Sequence, residues 1–177
     1  MTSWIALFRG INVGGNNILK MAELRSDLES LNLKNVRSYI QSGNVIFDSA
    51  AGTASSLAER IGALVHKQHG FQPSIFILKR DDLLSAVASN PFPGAVSEPK
   101  TLHFFFLQES AANPDFSAIE KAKAETESYR LMDRVFYLHA PDGIGRSKLA
   151  ANAEKYLGVA GTGRNYRTVD KLLSLAA

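Results

Sequence analysis

Val36-Arg37-Ser38-Tyr39-Ile40-Gln41-Ser42-Gly43-Asn44-Val45-Ile46-Phe47-Asp48 is the stretch whose reading decides the fold. Residues 36–40 and 44–48 are short runs of β-branched and aromatic residues, and Gln41-Ser42-Gly43 between them is short enough for a hairpin. Helical spacing appears on both sides of it. Upstream, Met21, Leu24, Leu28 and Leu31 recur at intervals of three and four, predicting a helix over about 20–32. Downstream, Leu57, Ile61, Leu64 and Val65 mark a second helix, which Gly70 closes at a C-cap position. Outside these lie the apolar run Trp4-Ile5-Ala6-Leu7-Phe8, too brief for a helix before its glycines, and a further strand over 71–78. The order is strand, helix, two strands, helix, strand, which is the split βαβ or ferredoxin-like pattern.

The second half echoes the first. A linking helix is expected over 81–89, followed by Asn90-Pro91-Phe92-Pro93-Gly94. Then come a strand over 102–107, a helix over 116–127 with Ile119 inward, and paired strands over 129–132 and 134–139 around Asp133. Helices over 147–157 and 168–175 complete the chain. Val45-Ile46-Phe47 leading to Gly52 and Ser56 is matched by Val135-Phe136-Tyr137 leading to Gly143 and Ser147. The expectation is an α+β protein of two tandem ferredoxin-like (α-β plait) units. The second unit is read as incomplete, lacking its final strand and carrying an extra C-terminal helix, with the division at 1–80 and 81–177. Trp4, Ala6 and Phe8 lie on one side of their strand and Ile5 and Leu7 on the other; Phe104 and Phe106 oppose Phe105 and Leu107 likewise. Sheet faces this apolar should be covered, by each other or by a second subunit. That argues against an RNA-recognition surface, which needs exposed aromatics.

Composition narrows the class. With 45% hydrophobic and 21% charged residues over 177 positions, the chain has enough apolar material for a core without staples. Cysteine is absent, which removes disulfides, thiolate metal sites and cysteine nucleophiles. Met1-Thr2-Ser3-Trp4 reads as neither a signal nor a transit peptide, and no stretch approaches the roughly 20 apolar residues of a membrane span. A cytoplasmic location with no membrane partner is expected. A net charge of +3 and a pI near 9.2 permit an anionic partner without demanding one.

Three places carry candidate chemistry. In Arg9-Gly10-Ile11-Asn12-Val13-Gly14-Gly15-Asn16-Asn17, the glycine spacing fits neither the dinucleotide fingerprint nor the P-loop. Its glycines and asparagines either adopt positive φ and close Asx turns, or present N–H groups to an anion. Gly143-Ile144-Gly145-Arg146-Ser147-Lys148 precedes a helix with Ser147 as N-cap, where free N–H groups and two cations suit a phosphate. Helix starts supply a third test, since acids belong there and cations do not. Asp81-Asp82, Pro114-Asp115 and a capping box at Ser56-x-x-Glu59 obey. Lys20, Arg146 with Lys148, and Arg164 with Arg167 do not, which makes sense with an anion between them or with internal partners such as Glu23 or Asp170. The candidate anion-binding set is Arg9, Asn12, Gly14, Gly15, Lys20, Gln41, Ser42, Asn44, Arg146, Ser147, Lys148, Arg164 and Asn165. Gln41, Ser42 and Asn44 have the alternative role of closing their hairpin. His66 and His69 near a helix end, His103 in a strand and His139 at a strand end suggest no metal site. Neither a cofactor nor a set of catalytic residues is indicated.

Taken together, Arg9 to Gly15, Met21-Ala22-Glu23-Leu24, Tyr39 to Phe47, Asn90-Pro91-Phe92, Gly143 to Lys148 and Thr162 to Val169 resemble the domain of unknown function 1697 family. Tyr166 stands where tryptophan is commoner in that family. The resemblance implies two tandem α/β plaits and no established activity. The leading expectation is a non-catalytic protein that binds a phosphate-bearing ligand, a nucleotide or a nucleic acid. The alternatives are a metal-independent enzyme acting on a small phosphorylated metabolite, and a structural module whose motif residues pair internally.

Overall fold

A computed structural model describes residues 1–177 and shows an α+β protein with two four-stranded antiparallel sheets and six α-helices. The chain forms two compact units, Met1–Ser85 together with Lys171–Ala177, and Ala86–Asp170.

The first unit runs β1 (Thr2–Arg9), α1 (Met21–Ser30), β2 (Lys34–Tyr39), β3 (Asn44–Ser49), α2 (Ala54–His69), β4 (Ser74–Lys79) and the start of α3 (Arg80–Ala88). Its strand order is β2-β3-β1-β4, so β1 is central and pairs Trp4 with both Phe47 and Lys79. Side-chain alternation puts Trp4, Ala6, Phe8, Val45 and Phe47 on the helix-covered face. There they meet Leu24 and Leu28 of α1 and Leu57, Ile61 and Val65 of α2. Each such side chain, fully buried, contributes roughly 1.5–3 kcal/mol. Ile5, Leu7 and Ile46 on the opposite face are buried too.

The hairpin over β2 and β3 is present, with a four-residue loop from Ile40 to Gly43 between paired Tyr39 and Asn44. Ile40 leaves the strand at φ +51°, and β2 carries a bulge between Lys34 and Arg37 with Asn35 at φ +51°. β4 starts at Ser74 rather than 71, just after Pro73, whose missing N–H cannot join a ladder. The capping box expected at Ser56 and Glu59 lies three residues earlier. Thr53 Oγ1 accepts from Ser56 N–H at 3.1 Å, and Thr53 N–H donates back to Ser56 Oγ at 2.8 Å. A serine hydroxyl at the third helical position does the work of the usual glutamate. Gly70 closes α2 with φ +83°.

The second unit runs β5 (Leu102–Leu107), α4 (Phe116–Ala122), β6 (Ser128–Met132), β7 (Val135–His139), α5 (Lys148–Leu157), β8 (Gly161–Asn165) and the start of α6 (Tyr166–Leu175). Strand order β6-β7-β5-β8 repeats that of the first sheet. The expected loss of the final strand is therefore corrected, because β8 pairs with β5 from Gly161↔Leu107 to Asn165↔His103. Two glycines disguise it, since glycine is poor in strands. Both are required by close neighbours. A Cβ at Gly161 would lie 2.9 Å from Leu107 Cδ2 and 3.1 Å from the Phe106 carbonyl oxygen, and one at Gly163 would lie 2.9 Å from the Phe105 ring. α4 ends at Ala122 rather than 127. Residues 124–127 instead make a turn held by Glu127, whose carboxylate accepts from Ala124 N–H at 2.9 Å. α6 starts at Tyr166, two residues before the expected position.

Candidate functional site

The glycine loop leaves β1 at Arg9 and folds back on itself. Val13 and Asn16 form a β-bridge, closed by Asn16 N–H donating to the Val13 carbonyl at 2.9 Å. Gly14 and Gly15 between them have φ of +59° and +77°, the paired positive values of a type I′ turn. Asn12 anchors the base. Its Nδ2 donates to the carbonyls of Leu19 and Gln41, both at 2.8 Å, and its Oδ1 accepts from Leu19 N–H at 2.7 Å. Asn17 Nδ2 donates to the Gly10 carbonyl at 3.1 Å. The asparagines thus close turns, and the tip is apolar, with Val13 65% and Ile18 57% exposed.

Gln41, Ser42 and Asn44 lie in the neighbouring hairpin loop, which the Asn12–Gln41 bond ties to the glycine loop. Asn44 is buried and donates to the Tyr39 carbonyl at 3.1 Å and to Ser42 Oγ at 2.9 Å, closing the hairpin from inside. Arg9 is exposed at the end of β1, opposite Ser74. Lys20 is exposed at the N-cap of α1 without a side-chain cap, and Glu23 supplies an acid in that helix's first turn.

A second group belongs to the other unit. β7 ends at His139, and Gly143 (φ +102°) leads into a 3-10 turn over Ile144–Arg146. Ser147 then caps α5, its Oγ accepting from Ala150 N–H at 3.0 Å. The capping reading of Ser147 is the one seen. Of the four N–H groups that a helix start leaves over, those of Lys148 and Leu149 remain beyond the cap. Arg146 and Lys148 are exposed, no acid stands in the first turn of α5, and neither cation makes an ion pair. Arg164, in β8, donates to Thr162 Oγ1 at 2.7 Å and the Gly163 carbonyl at 3.0 Å, and burial pushes its pKa down to about 10. Asn165 caps α6, accepting from Thr168 N–H at 2.9 Å. Sheet register brings these elements to one end of the second unit. His139 pairs with Leu102 and His103 with Asn165, so Gly143–Lys148 and Arg164–Asn165 leave the sheet on the side where β5 begins.

Of the histidines, His69 joins the two helices of the first unit, 2.8 Å from Asp27 Oδ2 and 4.0 Å from Glu23 Oε2. Glu23 and Asp27 share a helix face four residues apart, but their meeting with His69 is a tertiary contact between α1 and α2 that the spacing alone does not announce. No group of three or more His, Asp or Glu is arranged to hold a metal ion. His103 is buried, and its desolvation pushes its pKa below the ordinary value of about 6.5, with the backbone of Thr101 acting in the opposite sense. The unfolded chain takes up this proton as the pH falls through about 6.5 and the folded chain does not. The neutral ring's contribution is therefore complete above that pH and is lost below it, towards the folded pKa. His103→Asn, which does not titrate, is expected to show a shallower fall of Tm between about pH 6.5 and 5 than the parent. Parallel melting curves for the two would contradict this.

The chain belongs to a family of proteins of unknown function (DUF1697), whose family model matches residues 1–137. The second group of motif residues, from Gly143 onward, lies beyond the matched span. Among solved structures, the chain is similar to the conserved bacterial protein SP0830 from Streptococcus pneumoniae. The two share 27% sequence identity over 99% of each chain, with a TM-score of 0.76. No curated protein matches the sequence. No helix is long and apolar enough to cross a membrane.

Proposed function

We propose that this protein, two α-β plaits in tandem, binds a phosphate-bearing ligand without catalysis, and that the ligand is held at the start of α5. One observation carries the reading. Arg146 and Lys148 stand exposed and unpaired at a helix start that has no acid in its first turn. Each cation so placed opposes the helix dipole by roughly 0.3–1 kcal/mol, and a bound anion reverses the sign of that arrangement. The Lys148 and Leu149 N–H groups aim the same way. Asn165, on the helix-covered face at the same end of the sheet, is the candidate to extend the site towards the rest of a nucleotide, whereas Arg164 pairs with Phe104 on the opposite face.

The first group of residues supports a different role. Asn12, Asn17 and Asn44 spend their side chains on turn carbonyls, and the loop tip presents Val13 and Ile18 rather than cations. In this reading the glycine loop is a structural clasp.

Titration with inorganic phosphate and with a nucleoside triphosphate at constant ionic strength tests the proposal. Arg146→Ala combined with Lys148→Ala is expected to weaken binding at least tenfold without lowering Tm. Unchanged affinity in that variant, or no binding to the parent protein, contradicts it. If a duplex is the partner, log K falls with log salt by about 0.9 for each phosphate contacted.

A further inference from the structure

Eight large apolar side chains are exposed, and three of them, Val13, Ile18 and Ile40, stand together at one end of the first unit. The hydrogen bonds of Asn12 place them there. Its side chain ties Leu19 and the Gln41 carbonyl into one knot. Each exposed residue is the chain neighbour of one member of that knot: Val13 of Asn12, Ile18 of Leu19, and Ile40 of Gln41. Successive Cα atoms are about 3.8 Å apart, so the three side chains spring from one small area. Ile11 and Leu19 of the same loop are buried, which anchors it in the core while its tip faces water. Single exposed apolar residues are ordinary, whereas a cluster of them marks a contact surface.

Ile40 is an independent sign. Six residues other than glycine have positive φ, and five of them are Asn or Asp: Asn12, Asn17, Asn32, Asn35 and Asp133. Ile40 is the sixth, at φ +51° and 52% exposed. A β-branched residue is strained in that conformation. The corresponding hairpin of the second unit, between β6 and β7, places Asp133 in the left-handed region, where its carboxylate accepts from Ser110 Oγ at 3.0 Å. Asp133 thus serves its turn, while Ile40 adds both strain and apolar surface in water. Strain of this kind gathers at functional sites.

Charge and shape select the partner. No acidic residue occurs between positions 9 and 22 or between 31 and 47, the segments that build this end. Arg9 and Lys20, both exposed, flank the glycine loop. None of the exposed large apolar residues is Trp or Tyr, the usual anchors of a protein interface. Three side chains on two loop tips also fall far short of the roughly 20–30 residues that each side of such an interface contributes. A fluid anionic bilayer needs no matching shape. It takes aliphatic tips into its acyl boundary and attracts the cations beside them.

We propose that Val13, Ile18 and Ile40 form a peripheral docking tip for anionic phospholipid membranes, seated by their insertion and steered by Lys20 and Arg9. The clasp made by Asn12 then has a purpose beyond closing the fold, since it holds the tip outward. The inference stands apart from the reading of α5. The expectation of no membrane partner rests on the want of a spanning run, a signal that loop tips do not carry.

The test is flotation of the full chain with vesicles of phosphatidylglycerol and phosphatidylcholine, against phosphatidylcholine alone, at constant ionic strength. The parent should partition roughly tenfold better onto the anionic vesicles. Val13→Ser combined with Ile18→Ser and Ile40→Asn should weaken that binding by roughly tenfold or more. Ile40→Asn alone should weaken it about fivefold while Tm holds or rises, a pairing that a merely structural role for Ile40 does not produce. Lys20→Gln should cost about fivefold on anionic vesicles and nothing on neutral ones. A parent that floats with neither vesicle, or a triple variant that floats like the parent, overturns the docking tip. Flotation lost in Arg146→Ala with Lys148→Ala but kept in the triple variant places the lipid contact at α5 and overturns it too. A parent that ignores both vesicles and forms a dimer in sedimentation, lost in the triple variant, overturns the membrane in favour of a second copy. Should the triple variant fail to fold, Ile40→Asn decides alone.

Discussion

Gly43→Ala is expected to destabilise the first unit by about 3 kcal/mol or more, the largest effect of any single methyl group in the protein. Gly43 has φ +85°, and a Cβ there would lie 2.6 Å from Phe8 Cβ and 2.8 Å from Ile11 Cδ1. The Ile11 terminus can swing aside, but Phe8 Cβ is fixed to the backbone of the central strand. Relief requires the hairpin to lift away, which breaks the 2.8 Å bond from Phe8 N–H to the Gly43 carbonyl. Left-handed backbone costs an alanine roughly 1–2 kcal/mol, and overpacking adds about 1–3. For a unit of this size the Tm should drop by more than about 10 °C. Gly14→Ala is the control, with positive φ but nothing within 4 Å of the new Cβ. It should cost only the conformational part, about 1–2 kcal/mol. Equal melting temperatures for the two variants would show that the close approach of Gly43 to β1 is not what matters.

Asn12→Ala comes next, with an expected loss of about 2–4 kcal/mol. The substitution removes three hydrogen bonds, each worth about 1 kcal/mol net, and leaves the Leu19 N–H and two carbonyls to find water. Asn12 also has φ +53°, which asparagine tolerates better than alanine. Asn12→Gly separates the two causes, since it relieves the backbone but restores no bond, and it should recover about 1 kcal/mol. Amide exchange supplies a local readout. Protection at Asn16, whose N–H closes the tip on Val13, should vanish in both variants while β1 and β3 keep theirs. Retained protection at Asn16 would mean that the tip closes without its anchor.

The elements that were legible are those whose signal is local. Met21, Leu24 and Leu28 give α1 its period, Gly70 supplies the left-handed cap of α2, and Leu102 to Leu107 reads as β5 end to end. β8 was hidden because its strand character comes from its neighbours. Gly161 and Gly163 sit in the sheet to make room for Leu107 and Phe105, a tertiary requirement that no propensity records. The Thr53–Ser56 box was displaced to Ser56 and Glu59 because the textual pattern favours an acid, while a hydroxyl meets the same geometry. In the candidate site, the capping role of Ser147 was legible from its place before an apolar helix. The role of Asn12 was not, because its partners Leu19 and Gln41 lie seven and twenty-nine residues away.

The central claim is that the anion site lies at the start of α5 and that the glycine loop is a clasp. Titrating inorganic phosphate into the ¹⁵N-labelled protein and following the backbone amides tests it most directly. The account predicts shifts at Lys148 and Leu149 that saturate, with the amides of Gly14 and Gly15 unmoved. Saturable shifts at Gly14 and Gly15 with Lys148 and Leu149 silent would contradict it.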